Sequence, residues 1–356
     1  MHVPDGFINA PVSAAAGVVA AGAVAVSLRG ARKELDERVA PLAGLVAAFI
    51  FAVQMLNFPV AAGTSGHLLG GALAAVLVGP WTGVLCVAVV LLMQGVLFAD
   101  GGLTALGVNI TVMGVTTVVV AWAVFRGLRL VLPRTRGGVT AATFVAAAVS
   151  VPASAAVFTL VYAVGGTTDV PVGKVLTAML GVHVLIGVGE AVITALTVGA
   201  VLAVRPDLVH GARGLTAPLK LRVGGELVDA APAADPGPAT AGSPKKLWAG
   251  GLLTALVLAG VVSFYASASP DGLEKVAADQ GIDAKVEEHA AAADSPLADY
   301  GVRGIGSARL SGGLAGVIGV TATLAVGTGA FWITRRRRAA GSGAGAGAGA
   351  DSGARV

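Results

Sequence analysis

Val175-Leu-Thr-Ala-Met-Leu-Gly-Val-His-Val-Leu-Ile-Gly-Val-Gly-Glu-Ala-Val-Ile-Thr-Ala-Leu-Thr-Val-Gly-Ala-Val-Leu-Ala-Val204 carries only two ionisable side chains, His183 and Glu190. A helix needs about 20 mainly apolar residues to cross a bilayer, and this run exceeds that length. Working outward, similar runs fall at 8–28, 40–58, 64–79, 81–98, 103–125 and 139–164, then at 247–265 and 311–334. The 356-residue chain is 55% hydrophobic and 12% charged, against about 25% charged in soluble domains. The expected fold class is an all-α polytopic membrane protein: a seven-helix bundle followed by a two-helix C-terminal unit.

The bands between the runs set the expected organisation. Residues 1–205 form the seven-span domain, 206–246 an Ala/Pro/Gly-rich linker too poor in apolar surface to fold, and 247–334 the two-span unit. Residues 335–356 read as a basic, Gly/Ala-rich disordered tail. Basic residues favour the cytoplasmic side. With the N-terminus outside, the inner segments hold Arg29, Arg32, Lys33 and Arg38, then Arg126, Arg129, Arg134 and Arg136. Six more lie between Arg205 and Lys246, and five in the tail, making nineteen of the 24. An extracytoplasmic N-terminus, a cytoplasmic C-terminus and a prokaryotic plasma membrane location follow as expectations. The net charge of +4 is therefore not a nucleic-acid signature, because its basic residues sit between apolar runs. No Lys or Arg precedes Arg29, so a cleaved signal peptide is not expected. Cys86, alone, excludes an intramolecular disulfide and reads as a small buried hydrophobe.

Two histidines reach the same expected face. Met1-His2 offers an α-amine, a backbone amide and an imidazole Nδ1 that can close two chelate rings on one cation, and Pro4 turns the chain away from helix. Neutral imidazole suits Ni, Cu, Zn and Fe, and a deprotonated amide favours a square-planar ion. His67, between the second and third runs, would supply a fourth nitrogen. Asn57, Asn109, Gln54 and Gln94 read as partners that orient a ligand imidazole or as interhelical hydrogen bonds. A charge at membrane depth costs ~2.5–3.5 kcal/mol or more, so His183 and Glu190 should face the bundle interior. Seven residues apart, they share a helix face, either to relay a cation or to lock helices together. No phosphate-binding loop, His-Glu-x-x-His or nucleophile elbow is present, which leaves a non-catalytic subunit without ATPase chemistry of its own.

Met1-His-Val-Pro-Asp-Gly-Phe7, Asn57-Phe-Pro59, Gly63-Thr-Ser-Gly-His67-Leu-Leu-Gly-Gly71, Gly79-Pro-Trp81 and His183-Val-Leu-Ile-Gly-Val-Gly-Glu190 together resemble the CbiM/NikM family. Its members are the substrate-specific components of cobalt and nickel energy-coupling-factor transporters. Ser269-Pro-Asp-Gly-Leu-Glu274 similarly resembles the PDGLE domain, related to the small CbiN/NikN-like auxiliary component. The resemblance implies metal ligands at Met1, His2 and His67, and Co(II) or Ni(II) as transported substrate with no permanently bound cofactor. It also implies a transmembrane coupling subunit and ATP-binding subunits as partners, in the lipid bilayer and without nucleic acid. From the residues alone, Pro270-Asp-Gly is a turn. Asp271, Glu274, Glu287, Glu288 and His289 behind it read as a solvated helix face rather than a cation site. Two rival readings stand: a stand-alone secondary metal or proton-coupled transporter working through His183 and Glu190, and a membrane scaffold. No inverted repeat is visible, which counts against the first rival.

Overall fold

The structure is a computed structural model and describes residues 1–35, 39–61, 63–213, 220–223, 226–229, 244–287, 289, 292 and 294–346. Glu288, the linker residues 214–219, 224–225 and 230–243, and the tail from 347 lie outside the described residues. The chain is an all-α polytopic membrane protein. Among the described residues, seven helices are long and apolar enough to cross a membrane, five before residue 205 and two after residue 244. They are α1 (Ala10–Glu34), α4 (Pro80–Leu97), α5 (Leu106–Val131), α6 (Arg136–Gly165), α7 (Val172–Val204), α8 (Pro244–Gly260, within a span that runs to Tyr265) and α10 (Ala308–Ala346). A π-helical stretch interrupts α5 at Ile110–Thr116, a type of insertion often found beside functional sites.

Two further helices are shorter. α2 (Val39–Gln54) has 16 residues, and α3 (Gly71–Val78) has 8, all buried. The expected third span at 64–79 is therefore not one continuous helix. Pro59, Gly63 and Gly66 favour a hairpin instead, β1 (Phe58–Ala61) against β2 (Thr64–Gly66), with Phe58 opposite Gly66. Residues 67–70 then follow without helix or strand pairing, and Gly70 adopts φ +86° before α3 begins. At ~1.5 Å per residue α3 rises only about 12 Å, so the non-helical residues 67–70 supply part of the depth. This places His67 on unwound backbone rather than at the first turn of a helix.

The C-terminal unit is packed onto the bundle along α2. Gly44 meets Thr328 of α10, Gly319 meets Phe51, and Gly251 of α8 meets Leu45; small residues let membrane helices approach this closely. Between its two long helices lies α9 (Gly272–Gln280), capped at Asp271. Two expectations change at the edges. Within the linker, Lys220-Leu-Arg-Val223 and Glu226-Leu-Val-Asp229 pair antiparallel as β3 and β4, with Val223 opposite Glu226. α10 also continues to Ala346, where a disordered tail was expected from 335; Arg and Ala are strong helix formers that extend an existing helix.

Candidate metal centre

The N-terminal nonapeptide lies across one end of the bundle and is held there by backbone and side-chain contacts. Asn109, just before the π-helical stretch, clasps Val3 on both sides. The Val3 N–H donates to Asn109 Oδ1 at 2.8 Å, and Asn109 Nδ2 donates to the Val3 carbonyl at 3.0 Å. The Asp5 carboxylate accepts from the N–H groups of Leu103, Thr104 and Ala105, fixing the chain beyond Pro4 onto the loop before α5. Gly6 has φ +86°, and a Cβ there would sit 1.9 Å from the Lys285 carbonyl, so only glycine fits where the C-terminal unit crosses. Glu287 N–H donates to the Asp5 carbonyl at 3.0 Å.

These restraints bring the predicted ligands together. The Met1 amine lies 2.6 Å from His67 Nε2, and the rings of His2 and His67 stack with centroids 5.2 Å apart. His67 Nδ1 lies 3.0 Å from the Leu68 carbonyl. A carbonyl only accepts, so that nitrogen carries the proton and Nε2 presents its lone pair to the amine, the tautomer a metal ligand needs. His2 Nε2 lies 3.2 Å from Gln94 Oε1, and His2 Nδ1 lies 3.1 Å from Asp100 Oδ1. Burial pushes the His2 imidazole down to about 4, against the pull of Asp100. Tyr300 of the C-terminal unit organises this side. Its hydroxyl donates to Asp100 Oδ2 at 2.5 Å and accepts from Gln94 Nε2 at 3.0 Å.

The remaining sequence candidates divide. Glu190 is buried and accepts from Leu69 N–H at 2.6 Å and Gly70 N–H at 3.1 Å. It thereby fixes the backbone that leads from His67 into α3. His183 is also buried; its Nδ1 bonds the Met179 carbonyl at 2.8 Å, and its Nε2 has no hydrogen-bond partner among the described residues. His183 and Glu190 are engaged separately, not with each other. Gln54 Nε2 donates to the Leu69 carbonyl. Asn57 lines the cleft that His2, His67 and Asp271 also line, and its backbone carbonyl accepts from Ser267 N–H.

Asp271 corrects the expectation of a solvated helix face. It is buried, its Oδ2 contacts the Met1 amine, and the same oxygen lies 3.5 Å from His67 Nε2. His2, His67 and Asp271 each place one donor atom within 4.8 Å of the others, the one such His/Cys/Asp/Glu group among the described residues. Burial alone would raise the Asp271 carboxyl, but the Met1 ammonium outweighs it and holds the group well below the usual carboxylate range. Its other oxygen accepts from Leu273 and Glu274 N–H, and Glu274 Oε2 accepts from Asp271 N–H, a reciprocal capping box. The Asp-Gly-Leu-Glu spelling of that box was readable in the sequence; its docking on residue 1 was not. A cleft of about 1160 Å³ opens beside the centre, with Asp5, Asp100, Asp271 and Glu287 on its wall.

The cobalt uptake substrate-specific transmembrane region (CbiM) matches residues 2–208, and the PDGLE domain matches residues 245–336. A putative metal transport protein of Haloquadratum walsbyi is 38% identical over 209 residues, 59% of this chain and 93% of its own. A putative fused nickel transport protein NikMN of Archaeoglobus fulgidus is 38% identical over 212 residues, 59% of this chain and 68% of its own. A cobalt transport protein CbiM of Geobacter sulfurreducens is 33% identical over 216 residues, covering 59% and 61% respectively.

Proposed function

The chain belongs to the CbiM family of cobalt uptake substrate-specific transmembrane proteins, with a PDGLE domain behind the CbiM region, and from that premise we propose that it captures Co(II) or Ni(II) for an ATP-driven energy-coupling-factor importer. In this reading the ion binds to the Met1 amine, the His2 amide and imidazole, and His67 Nε2. The contact between the Met1 amine and His67 Nε2, two donors 66 residues apart, is the observation that carries it. An amine and a neutral imidazole both suit these ions, and a shared ion replaces the direct contact between them. Asn109 and Glu190 position the donors without touching the ion.

The Met1 end faces outward, and delivery to the cytoplasm requires a coupling subunit and ATP-binding subunits from other chains. This chain is a transport subunit rather than an enzyme, and the ion is cargo rather than a resident cofactor. Residues 1–205 act as the metal-binding domain and 247–334 as the auxiliary PDGLE unit. The secondary-transport alternative, with His183 and Glu190 as its relay, is disfavoured by Glu190 being committed to the α3 backbone.

Titration of the full chain in detergent with Ni(II) and Co(II) tests the ligand set. One residue added before Met1, His2→Ala and His67→Ala are each expected to weaken binding at least ~100-fold, beyond the ~10–100-fold typical of an outer partner. Wild-type affinity in the extended protein excludes the amine. The purified chain should hydrolyse no ATP, and metal uptake by cells should require separate ATPase subunits; uptake without them restores the secondary transporter.

A further inference from the structure

The C-terminal unit reaches the Met1 end of the bundle with one carboxylate that the reading above leaves unused. Four carboxylates are buried among the described residues: Asp5, Glu34, Glu190 and Asp271. The first three spend both oxygens on N–H groups that begin a helix or the loop before one. Asp271 divides its oxygens. Oδ1 accepts from Leu273 N–H at 2.7 Å and Glu274 N–H at 2.9 Å, while Oδ2 turns to the Met1 amine and His67 Nε2.

We propose that Asp271 Oδ2 is itself a ligand of the transported ion, so that the ion is held between the CbiM region and the PDGLE unit. The inference rests on the reading of Met1, His2 and His67 as nitrogen donors. Bonds of ~2.0–2.2 Å from nitrogen or carboxylate oxygen to a divalent ion put neighbouring donors roughly 2.8–3.1 Å apart and opposite donors roughly 4 Å apart. The separations of Met1 N and Asp271 Oδ2 from His67 Nε2, 2.6 and 3.5 Å, lie on either side of the neighbouring-donor distance, so shifts of a few tenths of an ångström would seat one ion among them.

The oxygen is also held in place. Ser65 N–H donates to the Pro270 carbonyl at 2.9 Å, and Ser65 Oγ donates to the Ser269 carbonyl at 2.7 Å. Gly272 lies flush on α7, where a Cβ would come within 2.8 Å of Ile186 and 3.0 Å of His183. The turn is thus anchored two residues from His67 on one side and on α7 on the other. When the ion enters, the amine and the His2 amide each give a proton to solvent, and the dication takes the place of the ammonium beside Asp271. Coordination by Oδ2 then pairs the buried carboxylate directly with that charge, where an unpaired one would be costly. An oxygen added to four nitrogens also takes the donor set out of the square plane that favours Ni(II) and Cu(II). The PDGLE unit thereby helps to set which ion is held.

The test uses the full chain in detergent, with Ni(II) and Co(II) as probes, and compares wild type with Asp271→Asn, Asp271→Ser and His67→Ala. Asn and Ser both retain a good N-cap for α9 and remove the anionic ion-facing oxygen. Both variants should bind at least ~10-fold more weakly. X-ray absorption should find one fewer nitrogen or oxygen neighbour around Ni(II), and the ligand-field bands of Co(II) should shift. Unchanged or tighter binding in both variants overturns the proposal and makes Asp271 a counter-charge to the amine. Weaker binding with an unchanged coordination shell also overturns it, since Asp271 then only positions the amine. Retained binding in His67→Ala refutes the nitrogen reading instead, and the Asp271 spectra still decide the oxygen.

Discussion

Glu34 and Asp271 act at opposite ends of α4, and they use the same chemistry for different purposes. Near the Pro80 end, Glu34 of α1 accepts from Trp81 and Thr82 N–H and from the Thr82 hydroxyl, so both oxygens serve the first turn of α4. Near the Leu97 end, Asp271 caps its own helix with one oxygen and leaves the other facing the Met1 amine. The histidines differ likewise. His210, near the Glu34 end, packs beside Trp122 with ring centroids 5.3 Å apart, and burial followed by Arg213 and Arg126 pushes it down to about 4. It meets no carboxylate cluster. His2 and His67 stack on each other around an amine and a carboxylate. A buried carboxylate whose two oxygens both serve one helix start is structural; one that turns an oxygen toward other candidate donors marks a site.

Glu190 belongs with Glu34 by its bonds and with the metal centre by its place, and it offers the largest expected effect on that comparison. Glu190→Gln leaves only one carbonyl oxygen for the Leu69 and Gly70 N–H groups. Stability should fall by about 1–3 kcal/mol for the unsatisfied donor. Metal affinity should fall ~10–100-fold, because the segment carrying His67 shifts. Titration and detergent melts on the same sample check both, and an unchanged affinity would separate Glu190 from the centre. Asn109→Ala comes next, with affinity reduced by roughly 10-fold through the loosened Val3 clasp, read in the same titration.

Glu34→Gln should lower stability by about 1–3 kcal/mol and leave Ni(II) and Co(II) affinity at the wild-type value. A drop in affinity there would erase the distinction between the two ends. The smallest effect is acid sensitivity at His2. Its imidazole titrates near 4 in the docked N-terminus against 6.5 when exposed. The undocked state therefore binds more protons between these values, so docking is strongest above 6.5 and weakens as pH falls toward 4. Histidine NMR of the metal-free chain should place the His2 midpoint near 4, and a midpoint near 6.5 would show that the N-terminus is not docked.

How much of this was legible before any coordinates depends on the range of the physics involved. Met1, His2 and His67 were nameable because a chelate at residues 1 and 2 is local, and because His67 stands in a Gly/Ser-rich connection. The roles of Asn109 and Glu190 were only half legible. Polarity within an apolar run says that a partner exists, but whether Glu190 meets His183 or the backbone of residues 69 and 70 depends on how α7 is rotated against α3. The third span misled for a related reason. Hydropathy measures apolar length, and residues 64–79 are apolar enough, yet Pro59 and the glycines at 63, 66 and 70 favour a hairpin and a non-helical segment over one helix.

By itself the sequence determined the class of molecule and most of its membrane-crossing helices, and it named candidate nitrogen donors at its start, because bilayer thickness and chelate rings act over a few bonds or one continuous helix. It also spelled the capping box at Asp271 to Glu274, since that motif closes within four residues. Only the tertiary structure decided that Asp271 meets Met1 across 270 residues. That contact requires the C-terminal unit to pack along α2, Gly6 and Gly272 to admit close backbone approaches, and one carboxylate oxygen to stay free of its own helix. Each of these is set by packing between distant segments, which no local pattern encodes.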